Sequence, residues 1–302
     1  MSKFLISIVG PTGIGKTKLS LKLATYFKTE IISADSRQFF KEIPIGTASP
    51  SALELKKIPH NFIHHKSITE NYNVGEFEKD AIKRIETLYK KHSILILVGG
   101  SGLYINSILK GLDVFPDVNP KVRENLNLEL KIKGIKSLQK ELKVVDPISY
   151  SRTDLNNSHR IIRALEVFRE SGYPYSKYLN KQKIVRDFNI INIGLEAERS
   201  VIYDRINHRV DQMLKNGLEQ EARIVYKHKG VNALNTVGYK EMFKYFEGKL
   251  TLENTVEEIK KNSRRFAKKQ LTWFKKQENI KWFNYLTPFE KILSQVKYSI
   301  DN

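Results

Sequence analysis

The run Gly10-Pro11-Thr12-Gly13-Ile14-Gly15-Lys16-Thr17 constrains this chain more than any other feature. A short apolar stretch with strand character, Phe4-Leu5-Ile6-Ser7-Ile8-Val9, leads into it. A helical pattern follows, with Leu19, Leu23 and Tyr26 on one face. Strand, glycine loop and helix N-terminus are the context in which G-x-x-x-x-G-K-T holds phosphate. The glycines let backbone N–H groups converge on the anion, and the helix dipole adds positive potential. Gly10, Thr12, Gly13, Ile14, Gly15, Lys16 and Thr17 are therefore the candidate phosphate-binding residues. Lys16 supplies a point charge, and the Thr17 hydroxyl is a candidate Mg²⁺ ligand.

Two further strands fit the same sheet. Glu30-Ile31-Ile32-Ser33-Ala34 ends on Asp35-Ser36-Arg37-Gln38, and Ile94-Leu95-Ile96-Leu97-Val98 ends on Gly99-Gly100-Ser101-Gly102. In a parallel α/β sheet, ligands sit beyond the carboxyl ends of the strands. Asp35 and Ser101 thus arrive at the edge where phosphate is held. Asp35 as a helix cap and Ser101 as a turn residue are the plainer alternatives. ATP-hydrolysing P-loop proteins usually end a later strand on a magnesium-binding aspartate; here that place holds glycines and a serine. Asp35 could hold Mg²⁺ instead, as in small-molecule kinases. The P-loop specifies a diphosphate-like group without saying which.

The expected fold is α/β: a P-loop NTPase-like core with a parallel sheet, plus an inserted all-helical subdomain. Residues 116–188 read as the helical insertion, with 1–115 and 189–302 as the core. Within the insertion, Arg160 to Arg169 has helical apolar spacing, and Gly172-Tyr173-Pro174 punctuates its end. Strand character returns at Asn189 to Leu195. His60, His64 and His65 cluster, but no carboxylate completes a metal site beside them, and their neighbourhood reads as loop.

A formal charge of +19 makes a polyanion the natural partner to test. The sharpest local signal is Val256 to Lys276. On a helical wheel, Ile259, Phe266, Ala267, Leu271, Trp273 and Phe274 share one side as a core seam. Lys261, Arg264, Arg265, Lys268, Lys269, Lys275 and Lys276 fill most of the other, which makes an RNA backbone the expected partner. The chain has no cysteine, which excludes disulfides, thiolate metal sites and a cysteine nucleophile. The apolar run Phe4 to Val9 is too short for a signal-peptide core or a membrane span. The expectation is a soluble cytoplasmic monomer.

Taken together the motifs resemble those of the bacterial tRNA dimethylallyltransferases, also called tRNA isopentenyltransferases. The resemblance runs from Gly10 to about Lys276. It rests on the P-loop, on Ala34-Asp35-Ser36-Arg37-Gln38 and Ile45-Gly46-Thr47-Ala48, and on Val98-Gly99-Gly100-Ser101-Gly102-Leu103-Tyr104. It extends through Asp146-Pro147, Arg160 to Val167 and Gly172-Tyr173-Pro174-Tyr175-Ser176 to Val237-Gly238-Tyr239-Lys240-Glu241 and Arg264 to Phe274. Departures occur at Ser101, where many members carry threonine, at Asn61 and His64, and at Asp154-Leu155-Asn156-Asn157.

The resemblance implies transfer of a dimethylallyl group from its diphosphate, bound in the P-loop with Mg²⁺, to N6 of the adenosine just 3′ of a tRNA anticodon. Asp35 resembles the family's general base, and Ser101 and Arg123 match positions that contact RNA. Ser36, Arg37, Gln38, His159, Arg160, Arg163, Arg264 and Lys268 are further expected tRNA contacts. Lys16 and Arg223, in Gly217-Leu218-Glu219-Gln220-Glu221-Ala222-Arg223, are expected to steady the departing diphosphate. An ATP-dependent small-molecule kinase explains the P-loop and Asp35 but not the basic C-terminal helix. A non-catalytic RNA-binding protein leaves Asp35 and Ser101 idle.

Overall fold

A computed structural model describes residues 2–179 and 184–302. The chain opens β1 (Phe4–Val9), α1 (Lys16–Phe27), β2 (Ile31–Ser33), α2 (Ala52–Lys57), β3 (His60–Asn61), α3 (Val74–Leu88), β4 (Ile94–Val98) and α4 (Gly102–Lys110). Four helices follow, α5 (Pro120–Lys133), α6 (Ile135–Val145), α7 (Pro147–Arg152) and α8 (Ser158–Ser171). The chain then returns through β5 (Asn189–Glu196), α9 (Arg199–Lys215), α10 (Leu218–Val225), α11 (Tyr239–Phe246), α12 (Leu252–Lys275), β6 (Ile280–Asn284) and α13 (Phe289–Asp301).

The strands form one sheet in the order β3-β2-β4-β1-β5-β6, parallel throughout. Side chains alternate across a strand, and β1 shows what this does. Leu5 and Val9 enter one core, while Ile6 and Ile8 enter the other. The first core is closed by α3, α4, α10, α11 and α12, the second by α1, α9 and α13. Strands covered on both faces read as continuous apolar runs, which is why β1, β2, β4 and β5 are legible in the sequence. β6 carries only Ile280, Trp282 and Phe283 between polar residues, and β3 is two residues long, so neither stands out. The expected loop at His60 therefore contains a short strand. Tyr26 is exposed, and Ala24 takes its expected place on the buried face of α1.

The chain divides into two compact units, Met1–Lys110 with Arg186–Asn302, and Gly111–Val185. The helical unit starts a few residues earlier and ends slightly earlier than the expected 116–188. Its core is Leu126, Leu138, Leu142, Ile161, Ile162, Ala164 and Leu165. Asn157 caps α8 by accepting from the Arg160 N–H, and Gly172 closes the helix in the left-handed conformation that favours glycine. The sequence departure at 154–157 thus still supplies a helix cap. Inside this unit Glu166 is buried and accepts from Arg123 and Arg163, so both arginines bind their own fold first. Arg163 also stacks over Phe115, whereas His159 and Arg160 are exposed on the first turn of α8.

Candidate active site

β1 ends at Val9, and the P-loop turns directly from it into α1. Gly10 allows this turn: a Cβ there would lie 2.6 Å from the Leu195 carbonyl oxygen on β5. The loop encloses one end of a cavity of about 560 Å³ lined by Thr12, Gly13, Gly15, Lys16, Thr17, Asp35, Gln38, Arg205, His208 and Arg209, among others. Lys16 Nζ donates to the Gly10 and Pro11 carbonyls at 2.9 and 2.8 Å. Burial lowers its pKa from the usual lysine value to about 8, and Asp35 pulls in the opposite direction.

Two cations that the sequence reading missed come from α9. Arg205 Nε donates to the Gly13 carbonyl at 2.6 Å. Arg209 donates to the Thr12 hydroxyl at 3.0 Å and to the Ala48 carbonyl at 3.3 Å, and burial lowers its pKa too. Their signal was present: Arg205, His208, Arg209 and Gln212 recur at helical spacing and all line the cavity, while Ile202, Ile206 and Val210 face the core.

Arg223 is a correction. It lines neither this cavity nor the next, pairs with Glu219 at 3.0 Å and stacks 4.2 Å from the Phe246 ring on the surface. It stands one helix too far along the chain: α9, not α10, passes the P-loop.

A second cavity, of about 770 Å³, adjoins the first. Thr12, Asp35, Gly100, Arg209 and Gln270 belong to both linings. The second is rich in cations and aromatics, with Arg37, Lys240, Arg265, Lys269, Tyr104, Phe266 and Trp273. Asp35 stands at the junction and accepts from the Arg37 N–H at 3.1 Å, so its local turn is fixed while its carboxylate faces both spaces. Ser101 joins it: its hydroxyl accepts from the Ser36 N–H at 3.3 Å and pairs with the Ser36 hydroxyl at 3.2 Å. The strand ends thus bring Asp35, Ser36 and Ser101 together as expected. Thr17 and Asp35 offer the first cavity only oxygen donors, a set that suits Mg²⁺ completed by phosphate and water.

Other expected contacts sit differently. Arg37 lines the second cavity, but its guanidinium donates to the Asn232 and Ala233 carbonyls. Gln38 lines the first cavity and donates to the Thr47 and Ala48 carbonyls at 3.3 Å. On α12, Arg264 bonds Asn207 of α9 at 2.7 Å, and Lys268 lines neither cavity. Arg265 and Lys269, one residue further on, face the second cavity. Phe266 and Trp273 leave the expected core seam, being 46% and 39% exposed, and line the second cavity instead. The physical reason is that α12 has three environments. Ile259, Ala267, Gln270 and Phe274 are buried, Arg264 faces α9, and the arc through Phe266, Lys269 and Trp273 faces the cavity.

A parallel P-loop sheet with a phosphate cradle that opens past a carboxylate into a cationic, aromatic-lined chamber defines a transferase-like P-loop protein. The profile of the family described as IPP transferase matches residues 38–277. The chain is 56% identical over 301 residues to a tRNA dimethylallyltransferase of Christiangramia forsetii, covering 100% of both proteins. It is similar in structure to a tRNA isopentenylpyrophosphate transferase from Bacillus halodurans, with a TM-score of 0.73, 36% identity, and coverage of 99% of this chain and 96% of that one. A eukaryotic dimethylallyltransferase acting on tRNA gives a TM-score of 0.82 at 28% identity, covering 100% of this chain and 79% of that one. This chain belongs to the IPP transferase family.

Proposed function

We propose that this protein transfers the dimethylallyl group of dimethylallyl diphosphate to N6 of the adenosine just 3′ of a tRNA anticodon and releases diphosphate. The observation that carries this reading is the meeting of two cavities at Asp35, one built on the P-loop and one lined by cations and aromatic rings. The cations and aromatic rings of the second chamber suit an unstacked base and its phosphate backbone. No described helix is long and apolar enough to cross a membrane.

The diphosphate lies against the P-loop amides, where Lys16 exchanges its two carbonyl partners for phosphate oxygens. Arg205 and Arg209 approach from the other side. Bound Mg²⁺, held at Thr17, would offset charge on the departing diphosphate. The adenine leaves its stack and enters the second chamber, where Arg265, Lys269 and the rings of Phe266 and Trp273 meet the RNA. The N6 lone pair is delocalised into the ring, so N6 attacks poorly unless its proton is taken as the bond forms. Asp35 stands at the junction to take it. The N6–C1 bond forms, the C1–oxygen bond breaks, the proton passes to Asp35, and the electron pair leaves with diphosphate, where preorganised cations stabilise it. Arg123, His159, Arg160 and Arg163 of the helical unit serve as further contacts to the anticodon stem-loop.

The test is mass spectrometry of adenosines from tRNA incubated with the protein and dimethylallyl diphosphate. One added prenyl unit on the adenosine 3′ of the anticodon is the expected result. Release of ADP from ATP without RNA modification would establish the kinase instead.

A further inference from the structure

Gln270 is buried on α12, and its amide reaches two loops that the sheet alone leaves untied. Its Oε1 accepts from the Thr12 N–H of the P-loop at 2.8 Å, and its Nε2 donates to the Gly100 carbonyl at 2.9 Å. The two partners fix the orientation of the amide, since an N–H only donates and a carbonyl only accepts. The approach requires glycine: a Cβ on Gly100 would lie 2.3 Å from Nε2. The ladder between β1 and β4 ends at Ile8 and Val98, with one further bond of 3.4 Å from the Gly99 N–H to the Ile8 carbonyl. Beyond that point Gln270 bridges the P-loop and the Gly100-Ser101 loop.

We propose that Gln270 is the positioning residue that sets the separation between the phosphate cradle and the edge carrying Asp35 and Ser101. The inference rests on the prenyl-transfer reading. The cradle fixes the electrophilic carbon through its diphosphate, and the Asp35–Ser101 edge fixes the base. No strand pairing joins the two at the reacting centre, so their spacing depends on the side chain between them. In-line displacement needs reacting atoms about 3–3.5 Å apart, and a misplacement of roughly 1 Å costs about 100-fold in rate. Gln270 acts through the loops and touches neither bond that changes.

The experiment compares Gln270→Leu and Gln270→Glu with the unaltered full-length protein. It uses dimethylallyl diphosphate and an anticodon stem-loop RNA. Single-turnover rates at saturation, Kd for inorganic diphosphate, Kd for the RNA and Tm are read together. Gln270→Leu should slow the saturated single-turnover rate by about 100-fold and leave both Kd values within about threefold, which is under 1 kcal/mol. Gln270→Glu adds a readout that lost stability alone would not move. Protonated, its carboxyl still accepts from Thr12 and donates to Gly100; ionised, it repels the Gly100 carbonyl. Lys16, Asp35 and Arg209 line the same wall and are common to both proteins, so the variant's rate is divided by the unaltered protein's at each pH. That ratio should rise as pH falls. A saturated rate for Gln270→Leu equal to the unaltered protein's overturns the inference, as does a lowered Tm with an unchanged rate. If Gln270→Leu does not fold, a ratio for Gln270→Glu that is flat with pH overturns it equally. Failure of the unaltered protein to prenylate any adenosine is distinct: it removes the prenyl-transfer reading, and this inference with it.

Discussion

Replacing Arg209 by alanine should damage diphosphate binding far more than replacing Arg223, although only Arg223 stands out when the sequence is matched to its family. Arg209 sits between the Thr12 hydroxyl and the Ala48 carbonyl, on the wall shared by the two cavities. Burial lowers its pKa, so its charge lies where solvent screens it weakly. A hydrogen bond to a charged partner contributes about 1.5–3 kcal/mol, and 1.4 kcal/mol is a factor of ten in Kd. Arg209→Ala should therefore weaken inorganic diphosphate by roughly 10- to 100-fold. Arg205 is exposed, so its charge is discounted for solvent, and Arg205→Ala should cost about fivefold or less. Arg223→Ala should leave Kd unchanged. Part of the Arg209 loss could come through its bonds to the loop, and Arg209→Lys separates the two causes. Lysine keeps the charge and loses the fork, so an intermediate Kd with an unchanged Tm assigns the effect to the ligand. The assay is titration calorimetry at fixed Mg²⁺, pH and ionic strength. If Arg223→Ala weakens diphosphate as much as Arg209→Ala, the placement of the cradle on α9 is wrong.

Three other outcomes follow from the same geometry. Lys16 has its pKa lowered to about 8 by burial, and a bound dianion raises it again, so binding takes up a proton above that value. Lys16→Met should weaken diphosphate throughout, and the affinity advantage of the unaltered protein over it should be constant below about pH 8 and fall by up to about tenfold per unit above it. Asp35→Asn should lower the single-turnover rate by about 10²–10⁴-fold with donor and tRNA Kd nearly unchanged; restoration by excess Mg²⁺ would make Asp35 a metal ligand instead. Arg265→Ala with Lys269→Ala should reduce the salt slope of RNA binding by about 1.4, whereas Arg264→Ala should act on Tm through the lost Asn207 bond; equal salt slopes for the two changes would refute the division of α12.

The sequence revealed the parts of the site that recur locally and concealed those assembled from a distance. The P-loop, Asp35 and Ser101 are legible because each ends an apolar strand, and parallel strands deliver their carboxyl ends to one edge. Arg205 and Arg209 were missed because nothing in α9 itself says that it passes the P-loop; that follows only from β5 pairing with β1. A wheel drawn for α12 sorts residues by polarity, and polarity does not separate a core from an aromatic-lined chamber. Phe266 and Ala267 look alike on it, yet Phe266 opens to the cavity while Ala267 is buried. Gln270 illustrates the opposite error: a polar residue beside the apolar seam is buried because two backbone groups wait for it.

The formal charge of +19 is therefore a poor guide to what a tRNA meets on this surface. Much of the arginine is committed to the protein's own carbonyls and carboxylates. Arg37 holds the Asn232 and Ala233 carbonyls, Arg169 spans Glu129 and Glu141, and Arg186 spans Glu78 and the Ser107 and Ile108 carbonyls. This is work for a planar fork with several donors. Some lysines are also committed, as Lys260 is to Asp211 and Glu257, but a compact ammonium on a flexible stem is the better free counterion for phosphate. The division has a consequence for recognition. Point charges neutralise phosphates without reading bases, so lysines on the surface contribute affinity and salt dependence, and on the proposed function selection of one adenosine would fall to the second chamber. On the proposed function, Arg265, Phe266, Lys269 and Trp273 would there meet a base that has left its stack. Changes to Phe266 and Trp273 should alter which RNA is modified, and loss of Arg265, Lys269 or surface lysines should weaken all RNAs alike.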